Sequence, residues 1–364
     1  MPPVSEHSNI FIKLWVWLRT NLFSSFFNTI LTFLALYLLY LIIPPLFNWL
    51  FLDANWHEGT SRADCQADGA CWTMIRARFG QFIYGFYPES ERWRVNLVFI
   101  LMALGIAAFI IKKIPGKTYT GLFLLVLFPF ISFWLLYGWP YLPIVETRFW
   151  GGLMLNVIVG TIGIVASLPL GIFLALGRRS NLPVISMVCT FYIEFVRAVP
   201  LITVLFMSSV MLPLFLPEGV TFDKLLRAII GIALFSAAYM AEVIRGGLQA
   251  IPRGQFEAAK SLGLNYWQTV CLIILPQALR LVIPGIVNTF ISLFKDTTLV
   301  TQIGIFDLLG VIQAATRDAN WAGLAIEGYV FTAFVFWIIC FSMSRYSQYL
   351  EKKLNASSYK NNSD

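Results

Sequence analysis

Two groups of ionisable and amide side chains sit inside apolar stretches, where a charge needs a reason to be kept. Glu194 and Arg197 are three residues apart, which puts them on one face of a helix and within reach of each other. Asn288, Ser292, Lys295 and Asp296 follow three- and four-residue spacing, forming a polar seam along an otherwise apolar helix. Each group offers a cation beside an anion. A zwitterion such as an amino acid needs that combination, one charge for its carboxylate and one for its ammonium. The same pairs could instead neutralise one another and do no more than orient helices. An unpaired charge at the centre of a bilayer costs about 2.5–3.5 kcal/mol on insertion scales, so pairing is expected on either reading. Replacing Lys295 alone is therefore expected to strand Asp296.

Other chemistries are missing their parts. The tripeptide Gly116–Thr118 resembles the end of a phosphate-binding loop, but that loop needs a glycine where this chain has Ile111. There are two histidines, His7 and His57, and no Cys or His cluster with metal-ligand spacing. No nucleophile elbow is present. The expectation is a chain that is not an enzyme, binds no cofactor and no metal, and draws its energy from elsewhere.

The elements that must position these groups are set by the solvent. Of 364 residues, 58% are hydrophobic and 12% charged, and the mean hydropathy is +0.74. A soluble domain carries about 25% charged residues. The apolar residues come in blocks of about 17 to 28, the length a helix needs to cross a bilayer, and backbone groups in lipid must be satisfied inside the segment. Eight blocks lie near 26–46, 95–111, 120–137, 152–176, 184–212, 226–248, 273–293 and 325–344. The predicted class is an all-α integral membrane protein of about eight transmembrane helices. Trp and Tyr collect at block edges, as an interfacial belt requires.

Lys and Arg concentrate in alternate connections, among them Arg178, Arg179, Arg253 and Lys260, which places both termini in the cytoplasm. Topology then accounts for the net charge of +7, and nucleic acid is not needed as a partner. The first block is longer than a signal core and reads as a retained span. The chain divides near residue 148. Residues 1–148 hold three spans and an outer loop near 47–94, residues 149–345 hold five spans, and 346–364 form a charged cytoplasmic tail fraying at its Asn/Ser end. In the outer loop, Cys65 and Cys71 are either a disulfide, which an oxidising compartment permits, or two free thiols.

One connection has a fine structure of its own. In residues 250–276, Pro252 suits the first turn of a helix and Gln255 to Leu262 continue it. Gly263 fits a left-handed C-terminal cap, and Asn265 with Gln268 makes a capping pair for the next helix. Ala258 and Ala259 leave the first helix with a low profile beside Glu257 and Lys260. Such a helix suits insertion into a partner's groove and would transmit force to the spans on both sides. It is equally an ordinary capped connection.

The spacing within this connection resembles the EAA loop of ABC-importer permeases: Glu257-Ala258-Ala259, three residues, Gly263, nine residues, Ile273, one residue, Leu275-Pro276. The resemblance covers about residues 149–350. It implies a type I importer core of five helices after three extra N-terminal spans, with Glu257, Ala258, Ala259, Gly263 and Leu264 coupling the chain to a cytoplasmic ATPase. AEVIRGGLQAIPRGQFEAAKSLGL, FVRAVPL and FKDTTL are similar to the polar amino-acid branch, although Ala198 and Thr298 depart from its commonest residues. The extra spans, GRRSNLP, LFMSSVMLPLFLPEG and SRYSQYLEKKL resemble the larger permease subunit of general L-amino-acid uptake systems. That likeness implies a second homologous permease, two ATPase copies using ATP and Mg, a periplasmic amino-acid-binding protein, and residence in an inner membrane. The competing readings are a stand-alone channel or ion-coupled transporter, and a scaffold without a path.

Pro200, Pro213, Pro276 and Pro284 are expected to break or kink helices and open space between them. Residues 299–322 are amphipathic and too short to span. They are expected to lie against the outer face, either as a gate-like helix or as one that only seals the bundle.

Overall fold

The computed structural model describes residues 10–65, 68–111, 116–217, 219, 220 and 222–361. The basic connection at Lys112 and Lys113 and the last three residues of the tail lie outside the described residues. Regular structure is helical throughout, with isolated bridges instead of strands among the described residues. Six helices are long and apolar enough to cross a membrane, and two bent helix pairs raise the number to eight. These coincide with the eight apolar blocks.

Two compact units form, Met1–Ala77 and Arg78–Asp364. In the first unit, α1 (Ile10–Asn21) is followed by α2 (Phe26–Phe47), which Ser25 caps by accepting from the Asn28 amide. No residue of α2 is buried, as suits a helix whose surroundings are apolar. The loop beyond it has a fold of its own. Cys65 and Cys71 are joined by a disulfide, with their Cα atoms 5.8 Å apart. Asp64 accepts from the Thr60 and Ser61 amides at 2.7 and 3.0 Å, and these bonds hold its carboxyl below the usual carboxylate range.

The second unit contains α3 (Arg92–Ile110), α4 (Phe128–Tyr137), α5 (Gly152–Arg178), α6 (Pro183–Ala198), α7 (Leu201–Phe206), α8 (Lys224–Ala250), α9 (Arg253–Ser261), α10 (Leu275–Leu281), α11 (Ile283–Asp296), α12 (Leu308–Ala315) and α13 (Ala325–Asn361). At its centre α5 packs along α8. Small residues allow the approach: a Cβ on Gly171 would lie 2.7 Å from the Met240 side chain, and Ala237, Ala238 and Ala241 are fully buried. Arg94, expected in a solvated outer loop, is instead fully buried, with Glu91 at 2.5 Å and its Nη1 donating to the Pro143 carbonyl at 2.9 Å.

Two of the expected proline breaks are present, and one expectation changes. The block 184–212 is two helices, α6 and α7, meeting at 105°. Pro200 has no amide hydrogen and drives Val199 into an extended conformation, so the helix cannot continue. The block 273–293 is likewise bent, by 66°, between α10 and α11 just before Pro284. Residues 299–322 are not one surface helix. A 3-10 turn over Thr297–Ile303 leads to α12, and Leu308, Val311 and Ile312 are fully buried within the unit. Finally, α13 runs on to Asn361, continuing the last span into the tail, whose last three residues lie outside the described residues.

Candidate functional site

The break between α6 and α7 opens space. A cavity of about 850 Å³ is lined there by residues of α6, α8 and α11 and by the break itself. Its polar wall is Arg197, Ser236, Tyr239, Asn288, Thr289, Ser292 and Asp296, and Pro200, Leu201, Phe235, Val243 and Leu299 close the apolar side. Small-molecule sites span about 300–1,000 Å³ and pair mostly apolar walls with a few convergent polar groups. Non-helical backbone at membrane depth is tolerated where it faces a cavity, and Val199 and Pro200 do so here.

The two polar groups of the sequence therefore meet, but only in part. Arg197, Asn288, Ser292 and Asp296 share the cavity, whereas Glu194 and Lys295 are absent from its lining. Nor do the expected pairs form. Glu194 bonds Arg178 of α5 at 2.8 Å, and Arg197 lies 3.7 Å from Glu242 of α8. The reason is tertiary: helical spacing puts Glu194 and Arg197 on one face, but neighbouring helices bring closer partners to each. No close ion pair among the described residues joins Lys295 to Asp296, although the Lys295 charge still acts on the Asp296 carboxylate through space. The Lys295 side chain is exposed and absent from the cavity lining.

Sequence reading missed Glu242, which is bonded to Arg245 as well as to Arg178 at 3.3 Å. A signal existed, because a carboxylate three residues before an arginine in an apolar 27-residue helix is itself a candidate functional group. No group of three His, Cys, Asp or Glu side chains that could hold a metal occurs among the described residues.

The second site is the 250–276 connection. Pro252 occupies the N-cap position of α9 without a side-chain cap bond, one position earlier than a first-turn proline. At the other end Gly263 has φ +72°, the Gly263 amide donates to the Lys260 carbonyl at 3.0 Å, and the Leu264 amide donates to Ala259 at 3.2 Å. That is a Schellman closure, and only glycine takes the required φ without strain. Asn265 and Gln268 exchange bonds of 2.9 and 3.0 Å, forming the capping box that starts the next helix. The two alanines are not equivalent. Ala258 is exposed, while Ala259 is buried, so Ala259 faces the chain's own turn over Thr269–Ile274 and not outward. The outward face is Glu257, Ala258, Lys260 and Leu262, with Leu262 76% exposed. Gln255 accepts from Gln277 at 3.2 Å and Arg179 stacks over Phe256, tying α9 to α10 and to the end of α5.

With this geometry, similarity to known proteins becomes informative. The model of the family described as binding-protein-dependent transport system inner membrane component matches residues 167–356. The inner membrane amino-acid ABC transporter permease protein YhdY of Escherichia coli is 55% identical, over 97% of this chain and 95% of its own length. The glutamate/glutamine/aspartate/asparagine transport system permease protein BztC of Rhodobacter capsulatus is 41% identical over 93% of each chain. The probable amino-acid ABC transporter permease protein YckA of Bacillus subtilis is 34% identical, over 56% of this chain and 87% of its own length. YhdY and BztC thus match both the N-terminal spans and the permease segment, while YckA matches little more than half of this chain. The chain belongs to the family of inner-membrane components of binding-protein-dependent transport systems.

Proposed function

We propose that this chain is the translocating permease of an ATP-driven importer of L-amino acids. Its partners are a second homologous permease, two copies of a cytoplasmic ATPase that uses ATP and Mg, and a periplasmic amino-acid-binding protein. Both termini lie in the cytoplasm. The names of YhdY and BztC support the substrate class. The observation that carries the reading is the cavity, where Arg197 and Asp296 place opposite charges among the hydroxyls and amide of Ser236, Thr289, Ser292 and Asn288. An amino acid entering it sets its carboxylate at Arg197 and its ammonium at Asp296, and Asn288 and Ser292 accept or donate along its length. Glu194 and Lys295 take no part in that contact.

Coupling runs through α9. Glu257, Ala258 and Leu262 meet the ATPase, Ala259 seats the helix on its own chain, and Gly263 with Leu264 locks the turn. ATP-driven closure of the ATPases moves α9, α10 follows through Gln255 and Gln277, and the bundles rock to expose the cavity on alternate sides.

The test is uptake into proteoliposomes holding the co-purified complex, with ATP at the ATPase face and binding protein at the other. Uptake of L-amino acids that needs both is expected. Flux through the chain alone, without ATP, overturns the reading. Gly263→Val sharpens the coupling step. No atom lies within 4 Å of the added Cβ, so its cost is backbone strain of about 1–3 kcal/mol, with insertion preserved. The expected result is ATP hydrolysis uncoupled from uptake, and an unchanged ratio of transport to hydrolysis contradicts the assigned cap role.

A further inference from the structure

Three arginines and two glutamates meet where α5, α6 and α8 converge. Glu242 is at the centre. Its carboxylate accepts from Arg245 Nε at 2.9 and 3.0 Å and from Arg178 at 3.3 Å, and it lies 3.7 Å from Arg197. Arg178 turns its other nitrogen to Glu194 at 2.8 Å. Three cations against two anions leave one positive charge in surplus.

Geometry decides where that surplus falls. Arg178 touches two carboxylates, and Arg245 is held by hydrogen bonds to both oxygens of one. Among the described residues, the one ion-pair contact of Arg197 is that at 3.7 Å, too long for a hydrogen bond, and its buried Nε has no hydrogen-bond partner. The Tyr239 ring lies under its guanidinium, 5.5 Å from centroid to carbon. Of the three arginines, Arg197 alone lines the cavity among the described residues.

We propose that Glu242 is a positioning residue for carboxylate recognition: shared among three arginines, it fixes the Arg197 guanidinium on Tyr239 without neutralising it, leaving Arg197 to bind the ligand's carboxylate in the cavity. This rests on the reading of the cavity as the substrate site. A tight one-to-one pair would have used up the charge of Arg197. With no carboxylate behind it, that long side chain would keep its rotamer freedom and lose its aim. Arg245 and Arg178 therefore act on the cavity indirectly, by occupying most of Glu242.

The experiment is ligand binding to the purified permease–ATPase complex without binding protein, so that only the permease site discriminates. The probes are L-glutamine and 4-aminobutanamide, which differ only by the α-carboxylate. The readout is the ratio of their dissociation constants, which belongs to folded complex whatever its yield. In the wild type the amine is expected to bind far more weakly. Glu242→Gln is expected to shrink the ratio about tenfold, the scale of one charge-assisted hydrogen bond, and Glu242→Asp to restore most of it. In the Arg197→Ala background, Glu242→Gln is expected to add nothing. A merely structural role lowers yield and leaves the ratio alone. If Arg197→Ala collapses the ratio and both Glu242 variants keep the wild-type value, the positioning role is overturned while the cavity reading stands. If the wild type binds no L-glutamine, or Arg197→Ala leaves the ratio unchanged, the cavity reading itself falls.

Discussion

The polar cluster around Asp307 and the one around Glu242 both interrupt an apolar fold, yet they are finished to different degrees. Asp307 is fully buried at the N-terminus of α12. Its carboxylate accepts from Asn156 at 2.9 Å, from the Gly310 amide at 2.9 Å and from the Thr301 hydroxyl. Asn156 is saturated in turn: its oxygen accepts from the Leu308 amide and its nitrogen also reaches Thr297, each at 2.9 Å. Burial pushes the Asp307 carboxyl above its ordinary value, and the Thr301, Asn156 and Gly310 donors pull it part of the way back. In the Glu242 cluster, by contrast, side chains remain 23–34% exposed apart from Glu194 at 58%, one contact is stretched to 3.7 Å, and one guanidinium nitrogen has no partner. A closed polar cluster fixes elements in place, here α12 against α5. An open one beside a cavity holds capacity for a ligand. Polar residues in a membrane protein are thus sorted by what remains unsatisfied and not by charge alone.

The sharpest way to break this contrast is Asp307→Ala. The change leaves the Asn156 amide, the Thr301 hydroxyl and the Gly310 amide without their acceptor, each worth about 1–3 kcal/mol when buried and unsatisfied. We expect a loss of roughly 3–5 kcal/mol, as for other broken buried networks. It should be read as collapse of the folded yield and thermal midpoint in detergent, with unchanged ligand preference in whatever folds. Normal yield with altered preference would place the Asp307 cluster among the functional groups and erase the distinction.

Asp296→Asn tests the open side. The side chain lines the cavity and has no ion-pair partner among the described residues, so a nearly isosteric change should leave the midpoint close to wild type. Binding of a ligand ammonium should weaken by about 1.5–3 kcal/mol, or roughly ten- to 150-fold, measured as the affinity for L-glutamine. A fallen midpoint with unchanged affinity would move Asp296 into the structural class.

What the sequence reveals of these sites follows the range of the forces involved. The Gly263 cap and the Asn265–Gln268 box close within a few residues, and the local residue types suffice to read them. The eight apolar blocks depend only on length and hydropathy, and all coincide with helices. The partners of Glu194 and Arg197 could not be read in this way. Periodicity says which side chains share a face, while the tertiary packing of α5 and α8 supplies Arg178 and Glu242 from elsewhere in the chain. The two adjacent alanines illustrate the same limit: about 100° of helix rotation separates exposed Ala258 from buried Ala259, and only the neighbouring turn at Thr269–Ile274 decides which faces inward. Residues 299–322 read as a surface amphipath because two of their polar members, the part-buried Thr301 and the fully buried Asp307, bond each other inside the unit.

The smallest effect is expected at Lys295, and it is informative for that reason. By spacing, Lys295 neutralises Asp296, and its loss should strand a carboxylate. In the fold, Lys295 is exposed, forms no close ion pair among the described residues, acts on Asp296 only through space, and is absent from the cavity lining. A long lysine stem can carry its ammonium toward a more polar layer, which relieves most of the cost of its position. Lys295→Gln is therefore expected to change the midpoint by less than about 0.5 kcal/mol and L-glutamine affinity by less than about twofold. A tenfold loss of affinity at normal yield would extend the open cluster to the edge of α11. A tenfold loss of assembled complex with affinity intact would instead mean that an acidic group on a neighbouring subunit completes this charge, as Glu242 completes Arg245 within the chain.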